Sequence, residues 1–361
     1  MKKRILALLL AFVLAAGMLA GCRKTPAAIE PKPDPETREF TDSTGRTVTI
    51  PYEVTKIAVS GPLTQVYVLP LAGDMLVGVS NAFAVEAKTY LPAYLFELTE
   101  VGQLYGGKSE MDLEALLAAA PDVVVDVGDA KATIVEDMDA LTTQTGIPFV
   151  HIDATVKTAP EAYRMLGELL GRPEEAEALA GWCETTYADI AAMMAAVDAA
   201  GARKSLLYCL GDKGLNVIAE GSYHAETVNL MGDNAAKLAD VVSSGMGNEV
   251  DLEQIMVWDP DVVLFAPDSI YDTVTDDAAW QELPAIAAGA YYKTPALPYG
   301  WLSSPPSVQR YLGMLWLGSL LYPDYADYDL KEKVTGYYKT FYDCELTDEM
   351  YAQLTAGALP K

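Results

Sequence analysis

Two glutamates stand in the same frame 139 residues apart. Met111-Asp112-Leu113-Glu114 leads after six residues into Pro121-Asp122-Val123-Val124, and Val250-Asp251-Leu252-Glu253 leads after six into Pro260-Asp261-Val262-Val263. An exposed carboxylate can bind a cationic partner and let it go again, since a surface ion pair contributes at most about 1 kcal/mol. A glutamate in the first helical turn behind an Asp cap is also explained by the helix dipole, which favours it by about 0.3–1 kcal/mol. One such residue would carry no message. Two at one offset point to a docking surface.

Other residues set limits on the chemistry. There are two histidines, His151 and His224, too few for a histidine-rich transition-metal site. His224 beside Tyr223 suits either a ligand to haem or iron or a hydrogen bond at a helix start. The sequence holds no Gly-x-Ser-x-Gly, no phosphate-binding loop and no His-Glu-x-x-His, so an enzyme is not expected. Beyond Cys22, the cysteines Cys183, Cys209 and Cys344 are odd in number and far apart. They read as small buried apolar residues rather than a disulfide framework or a zinc site.

The elements that must position these residues alternate. In each repeat the apolar positions Leu113, Leu116, Leu117 and Leu252, Ile255, Met256 follow helical spacing, and the Val-rich runs after Pro-Asp read as buried strands. Residues 41–51 predict a hairpin, 56–59 and 76–79 strands around a helix with Val66 and Leu69, and 123–126 and 149–152 further strands. Such alternation predicts a parallel α/β sheet. From 159 to about 200 there is no strand signal, and residues 174–200 predict one helix of roughly 40 Å, a strut between lobes. Strands at 204–210 and 217–219, a helix at 226–231 and the second repeat form the other lobe. The aromatic-rich end (Tyr311, Trp316, Tyr322, Tyr337, Tyr338, Phe341, Tyr342) reads as packing.

The first 22 residues have a Lys2-Lys3-Arg4 start, an apolar stretch and Leu19-Ala20-Gly21-Cys22, which looks like the lipobox of bacterial lipoproteins. Residues 23–39 hold four prolines and read as a stiff tether reaching up to about 50 Å. The expected divisions are 1–22 signal and lipidated Cys22, 23–39 tether, 40–160 first lobe, 161–202 strut and 203–361 second lobe with the C-terminal helices. A formal charge of −26 argues against nucleic-acid binding and otherwise keeps a tethered protein soluble.

Lipobox, hairpin with Asp-x-x-Gly-Arg, Lys56-Ile57-Ala58-Val59, the duplicated Leu-Glu…Pro-Asp-Val-Val and the strut together resemble the substrate-binding lipoproteins of ABC importers. The likeness is to the subclass that includes ferric-siderophore, haem and cobalamin binders, and it covers about residues 40–356. It implies a class III periplasmic-binding fold: two Rossmann-like α/β lobes, one bridging helix and a ligand cleft at the strand carboxyl ends, where open parallel sheets bind ligands. It implies a monomer on the extracytoplasmic face of the bacterial membrane, docking through Glu114 and Glu253 on permease subunits that work with a cytoplasmic ATPase. No cofactor of its own is expected.

The resemblance also puts ligands against glycine-rich loops, here 102–108, with Tyr105, Gly107 and Lys108, and 243–247, with Ser244 and Met246. Glycine allows close approach and frees backbone N–H groups for anions. Ser60, Thr64, Gln65, the stretch from Asp126 to Asp129, Tyr223, His224, Tyr299, Trp301 and Arg310 complete the candidate set. Arg310 would neutralise an anionic ligand or an internal carboxylate. The expected solute is a ferric siderophore, with molybdate or tungstate, haem and cobalamin as alternatives. The stretch from Ser304-Pro305-Pro306-Ser307 to Leu321-Tyr322-Pro323 also resembles molybdate and tungstate binders.

Overall fold

A computed structural model of the chain describes residues 36–105 and 110–360. The signal, Cys22 and nearly all of the tether lie outside these residues, as do Gly107 and Lys108. One compact unit spans Thr37–Lys361.

The chain enters on an antiparallel hairpin, β1 (Thr37–Thr41) and β2 (Thr47–Pro51). Its turn is shaped by the buried Asp42 carboxylate, which accepts from the Thr44 and Arg46 backbone N–H groups at 3.0 and 3.1 Å. This local hydrogen bonding is what Asp contributes to turns. β1 takes up three residues of the stretch expected to be tether.

The first lobe is a five-stranded parallel sheet of β3 (Ile57–Val59), β4 (Leu76–Val79), β5 (Thr99–Glu100), β6 (Val123–Gly128) and β7 (Phe149–Asp153), in the order β5-β4-β3-β6-β7. All of β6 is buried, as a sheet covered on both faces requires. The second lobe is built from β8 (Ser205–Leu210), β9 (Asn216–Val217), β10 (Asp233–Asn234), β11 (Asn248–Glu249), β12 (Val262–Phe265) and β13 (Tyr291–Lys293). Their order is β11-β9-β8-β12-β13, with β10 also on β8, and β9 runs antiparallel to both of its neighbours.

Between the lobes runs the expected strut, Pro173–Ala199, 27 residues long. It buries Ala176, Leu179, Ala180, Cys183, Ile190, Met193, Met194 and Val197, a stripe at three- and four-residue spacing. The helix before it, Ala159–Leu170, crosses it closely at Gly167: a Cβ there would stand 2.4 Å from the Cβ of Ala176. Trp182 of the strut meets Tyr311, Tyr337 and Phe341 edge-on at 5.1–5.6 Å, so the aromatic C-terminus is core. It also reaches back to the first lobe, with Tyr338 against Tyr90 and Phe341 against Tyr163. Cys183 and Cys209 are buried, Cys344 is half-buried, and all three are free. Among the described residues no helix is long and apolar enough to cross a membrane.

Candidate functional site

The repeat folds as two matching units. Helices Leu113–Ala119 and Leu252–Trp258 are capped by Asp112, which accepts from the Glu114 and Ala115 N–H groups, and by Asp251, which accepts from Gln254 N–H. Each helix ends on a left-handed residue, Ala120 (φ 48°) or Asp259 (φ 43°), and turns through Pro-Asp into its strand. Running antiparallel to β6 and β12, each begins at the carboxyl edge of its sheet, and there Glu114 and Glu253 are exposed. Leu116 and Ile255 anchor the helices in the core. Leu117, placed on the apolar face by its spacing, is instead 49 % exposed.

At the carboxyl edge of the first sheet lies a buried polar chain. Ser60 Oγ donates to Asp126 Oδ1 and lies 3.1 Å from Thr64 Oγ1, which accepts from the Val127 N–H at 2.8 Å. His151 is fully buried, with Nδ1 2.6 Å from Asp126 Oδ2 and Nε2 2.9 Å from Asp153 Oδ1. An ionised carboxylate at each nitrogen favours the imidazolium, which donates from both. Burial opposes that charge, but Asp126 and Asp153 outweigh it and raise the pKa above the ordinary value. Ser60 and Thr64 are therefore engaged inside this chain, at 2 % and 1 % exposure, rather than offered to a solute.

The second lobe meets this edge through Arg310, at the start of helix Arg310–Leu321. Its guanidinium is wholly buried, 2.6 Å from Glu226 Oε2, and stacked 4.9 Å from the Tyr223 ring centre. Of the two roles open to Arg310, the structure supplies the internal carboxylate. The same cluster joins the lobes. Tyr223 OH donates to Ala154 O, Val156 N–H to Glu226 Oε1 at 2.9 Å, and Tyr311 OH to Val156 O at 2.7 Å. Ser307 Oγ also donates to Leu63 O at 2.9 Å. Trp301 is fully buried, and Tyr299 is half-buried with its ring 6.4 Å from that of Tyr342. Packing accounts for both.

The half-exposed part of the edge is assembled from both lobes. His224, in the short turn Tyr223–Ala225, lies with Nδ1 3.3 Å from Ser303 O, and its burial lowers its pKa. The 243–247 loop lies over it. Ser243 Oγ accepts from Tyr223 N–H at 3.0 Å, and a Cβ on Gly245 would come within 3.2 Å of the imidazole. Met246 is 76 % exposed, and Ser244 is half-buried with its Oγ accepting from Met246 N–H. From the first lobe come the Asp129–Lys131 pair (3.4 Å), whose charges act on Tyr223 and His224, and Tyr105, whose OH donates to Asp137 Oδ2 at 2.8 Å. Among the described residues no group of three or more His, Cys, Asp or Glu could hold a metal ion.

Glu226, Lys131 and the role of His151 escaped the sequence reading. Asp126 carried a usable signal, as the one charge in the run Val123-Val124-Val125-Asp126-Val127. A charge in a strand buried on both faces must have a partner.

Comparison with known proteins follows the same lines. Residues 65–297 match the family described as periplasmic binding protein. The fold is similar to that of an ABC transporter solute binding protein from Sulfurospirillum deleyianum, at 28 % identity over 88 % of this chain and 98 % of that one, with a TM-score of 0.81. It is also similar to a periplasmic solute binding protein from Veillonella parvula, at 27 % identity, 88 % and 97 % coverage and a TM-score of 0.69. The molybdate-bound periplasmic protein MolA of Haemophilus influenzae shares the fold at 22 % identity, 86 % and 99 % coverage and a TM-score of 0.66. No curated protein matches the chain by sequence.

Proposed function

Because the chain belongs to the periplasmic binding protein family and is the solute-binding component of an ABC transporter, we propose that it captures a ferric siderophore of low net charge and delivers it to the permease. One observation carries the choice of solute: among the described residues, the cations at the cleft edge are already matched. Arg310 faces Glu226, Lys131 faces Asp129, and His151 lies between Asp126 and Asp153. A multiply charged anion would find little surplus positive field there, on a chain of formal charge −26. A neutral iron chelate needs aromatic or apolar faces and hydrogen-bonding groups, which Tyr105, Tyr223, His224, Ser244 and Met246 supply. Gly107 and Lys108 belong to the same proposed contact set.

Glu114 and Glu253 serve as the docking carboxylates, supported by their exposure and their identical places behind Asp caps. Cys22 carries the lipid anchor, and the proline-rich stretch tethers the monomer to the extracytoplasmic face of the membrane. A second reading, molybdate or tungstate, is favoured by two hydroxyls beside His224, those of Ser222 and Ser243, 3.4 Å apart. Haem and cobalamin belong to the same comparison.

Calorimetric titration of the purified protein with a ferric trihydroxamate, a ferric tris-catecholate, haem, cobalamin and molybdate tests the choice. The neutral hydroxamate complex is expected to bind at least ~10-fold more tightly than the triply charged catecholate, a difference of about 1.4 kcal/mol. Binding of molybdate alone would overturn it in favour of the oxyanion.

A further inference from the structure

We propose that each repeat helix offers the permease an apolar contact beside its glutamate, with Leu117 and Ala118 on the first lobe and Val257 on the second. The inference rests on the docking role given to Glu114 and Glu253, and adds to it a feature that packing leaves unexplained. Leu117 is 49 % and Val257 78 % exposed. Leu113 and Ala115 in one helix, and Leu252, Met256 and Trp258 in the other, pack against the core clusters beneath them, whereas Leu117 and Val257 join neither cluster.

The repeat register pairs Leu117 with Met256 and Ala118 with Val257, three and four residues after the glutamate. On a helix these positions neighbour the glutamate, about 5–6 Å away between Cβ atoms. Both lobes thus show a carboxylate with an apolar step behind it, at the carboxyl edge of the sheet where the cleft opens. A partner seated there covers the route by which solute leaves. Its chemistry follows by complementarity: an extracytoplasmic permease loop carrying a basic side chain next to an apolar cup. A second copy of this acidic chain would bring carboxylate against carboxylate.

The test measures binding of the full protein to the solubilised importer whose ATP hydrolysis it stimulates, at low and high salt. Leu117→Ser with Val257→Ser is expected to weaken docking by ~10-fold or more, leaving its salt dependence, the solute Kd and the Tm unchanged. Glu114→Lys with Glu253→Lys should abolish docking at low salt. If the serine pair docks like the wild type while the lysine pair does not, the apolar contact is refuted and the docking glutamates stand. If neither pair changes docking, the docking reading itself fails. If the serine pair alters only self-association in sedimentation, the surface belongs to a second copy and the proposal is overturned. Leu117→Gln with Val257→Thr repeats the measurement should the serine pair lower the Tm.

Discussion

In the first lobe Asp122 accepts three hydrogen bonds, from Thr55 N–H, Thr55 Oγ1 and Lys56 N–H at 2.8–3.0 Å, whereas among the described residues its counterpart Asp261 accepts one, from Ser205 N–H at 2.8 Å. The histidines differ in the same direction. His151 is held by two carboxylates inside the first lobe, while His224 has one long contact to a backbone carbonyl under a loop of the second. The helix-to-strand unit is thus common to both lobes, but the first is tied down more heavily around it. The looser polar groups of the second lobe gather at the cleft edge, where a solute would have to be accommodated. Duplication preserved the scaffold, and the lobes diverged in how firmly it is fastened.

The largest contrast is expected at the histidines. His151→Gln leaves Asp126 without its charged partner in the interior and should cost about 3 kcal/mol, against less than about 1 kcal/mol for His224→Gln, measured by urea unfolding. Their pH signatures have opposite signs. The pKa of His151 is raised in the folded protein, so its stabilisation is complete below about 6.5 and is lost as pH rises through the folded value. The pKa of His224 is lowered, so its contribution is present above about 6.5 and is lost as pH falls through the folded value. Thermal unfolding from pH 5 to 9 should show the alkaline loss vanish in His151→Gln and part of the acid loss vanish in His224→Gln. An unchanged alkaline limb in His151→Gln would contradict the imidazolium.

Next in size is the pair of strand-opening aspartates. Asp122→Ala should destabilise by about 2 kcal/mol and Asp261→Ala by about 1 kcal/mol, following their unequal hydrogen bonds. Equal losses in the same unfolding assay would show that the lobes are fastened alike. The smallest effect is a gain. Ala120→Gly relieves a left-handed alanine and should stabilise by about 0.5–1 kcal/mol, while Asp259→Gly should change stability by less than about 0.3 kcal/mol, because Asp tolerates that conformation better.

Periodicity made most of the architecture legible. The hairpin, the Val-rich strands, the strut and the aromatic core follow from spacing and apolar content, which act over a few neighbouring residues. Site residues were harder to read because their partners are remote in sequence. Nothing near Arg310 announces Glu226, 84 residues earlier, and nothing near Ser60 announces Asp126. Trp301 in a Pro/Gly loop has the local character of a ligand contact, yet it is buried. Leu117 failed for a different reason: helical spacing says which residues share a stripe, but not how wide a stripe the neighbouring core covers. The short turns within 85–97 and 270–282 carry no period at all.

The segment from Ala154 to Val156 receives Tyr223 and Tyr311 and gives its own N–H to Glu226, so three hydrogen bonds clasp one lobe to the other at the foot of the cleft. At roughly 1 kcal/mol each they add a few kcal/mol to the packing of Tyr338 on Tyr90 and of Phe341 on Tyr163. Such a device works less like a hinged door than like a clothes-peg. The pivot is its fastened point, and any spread between the lobes has to be taken up away from it.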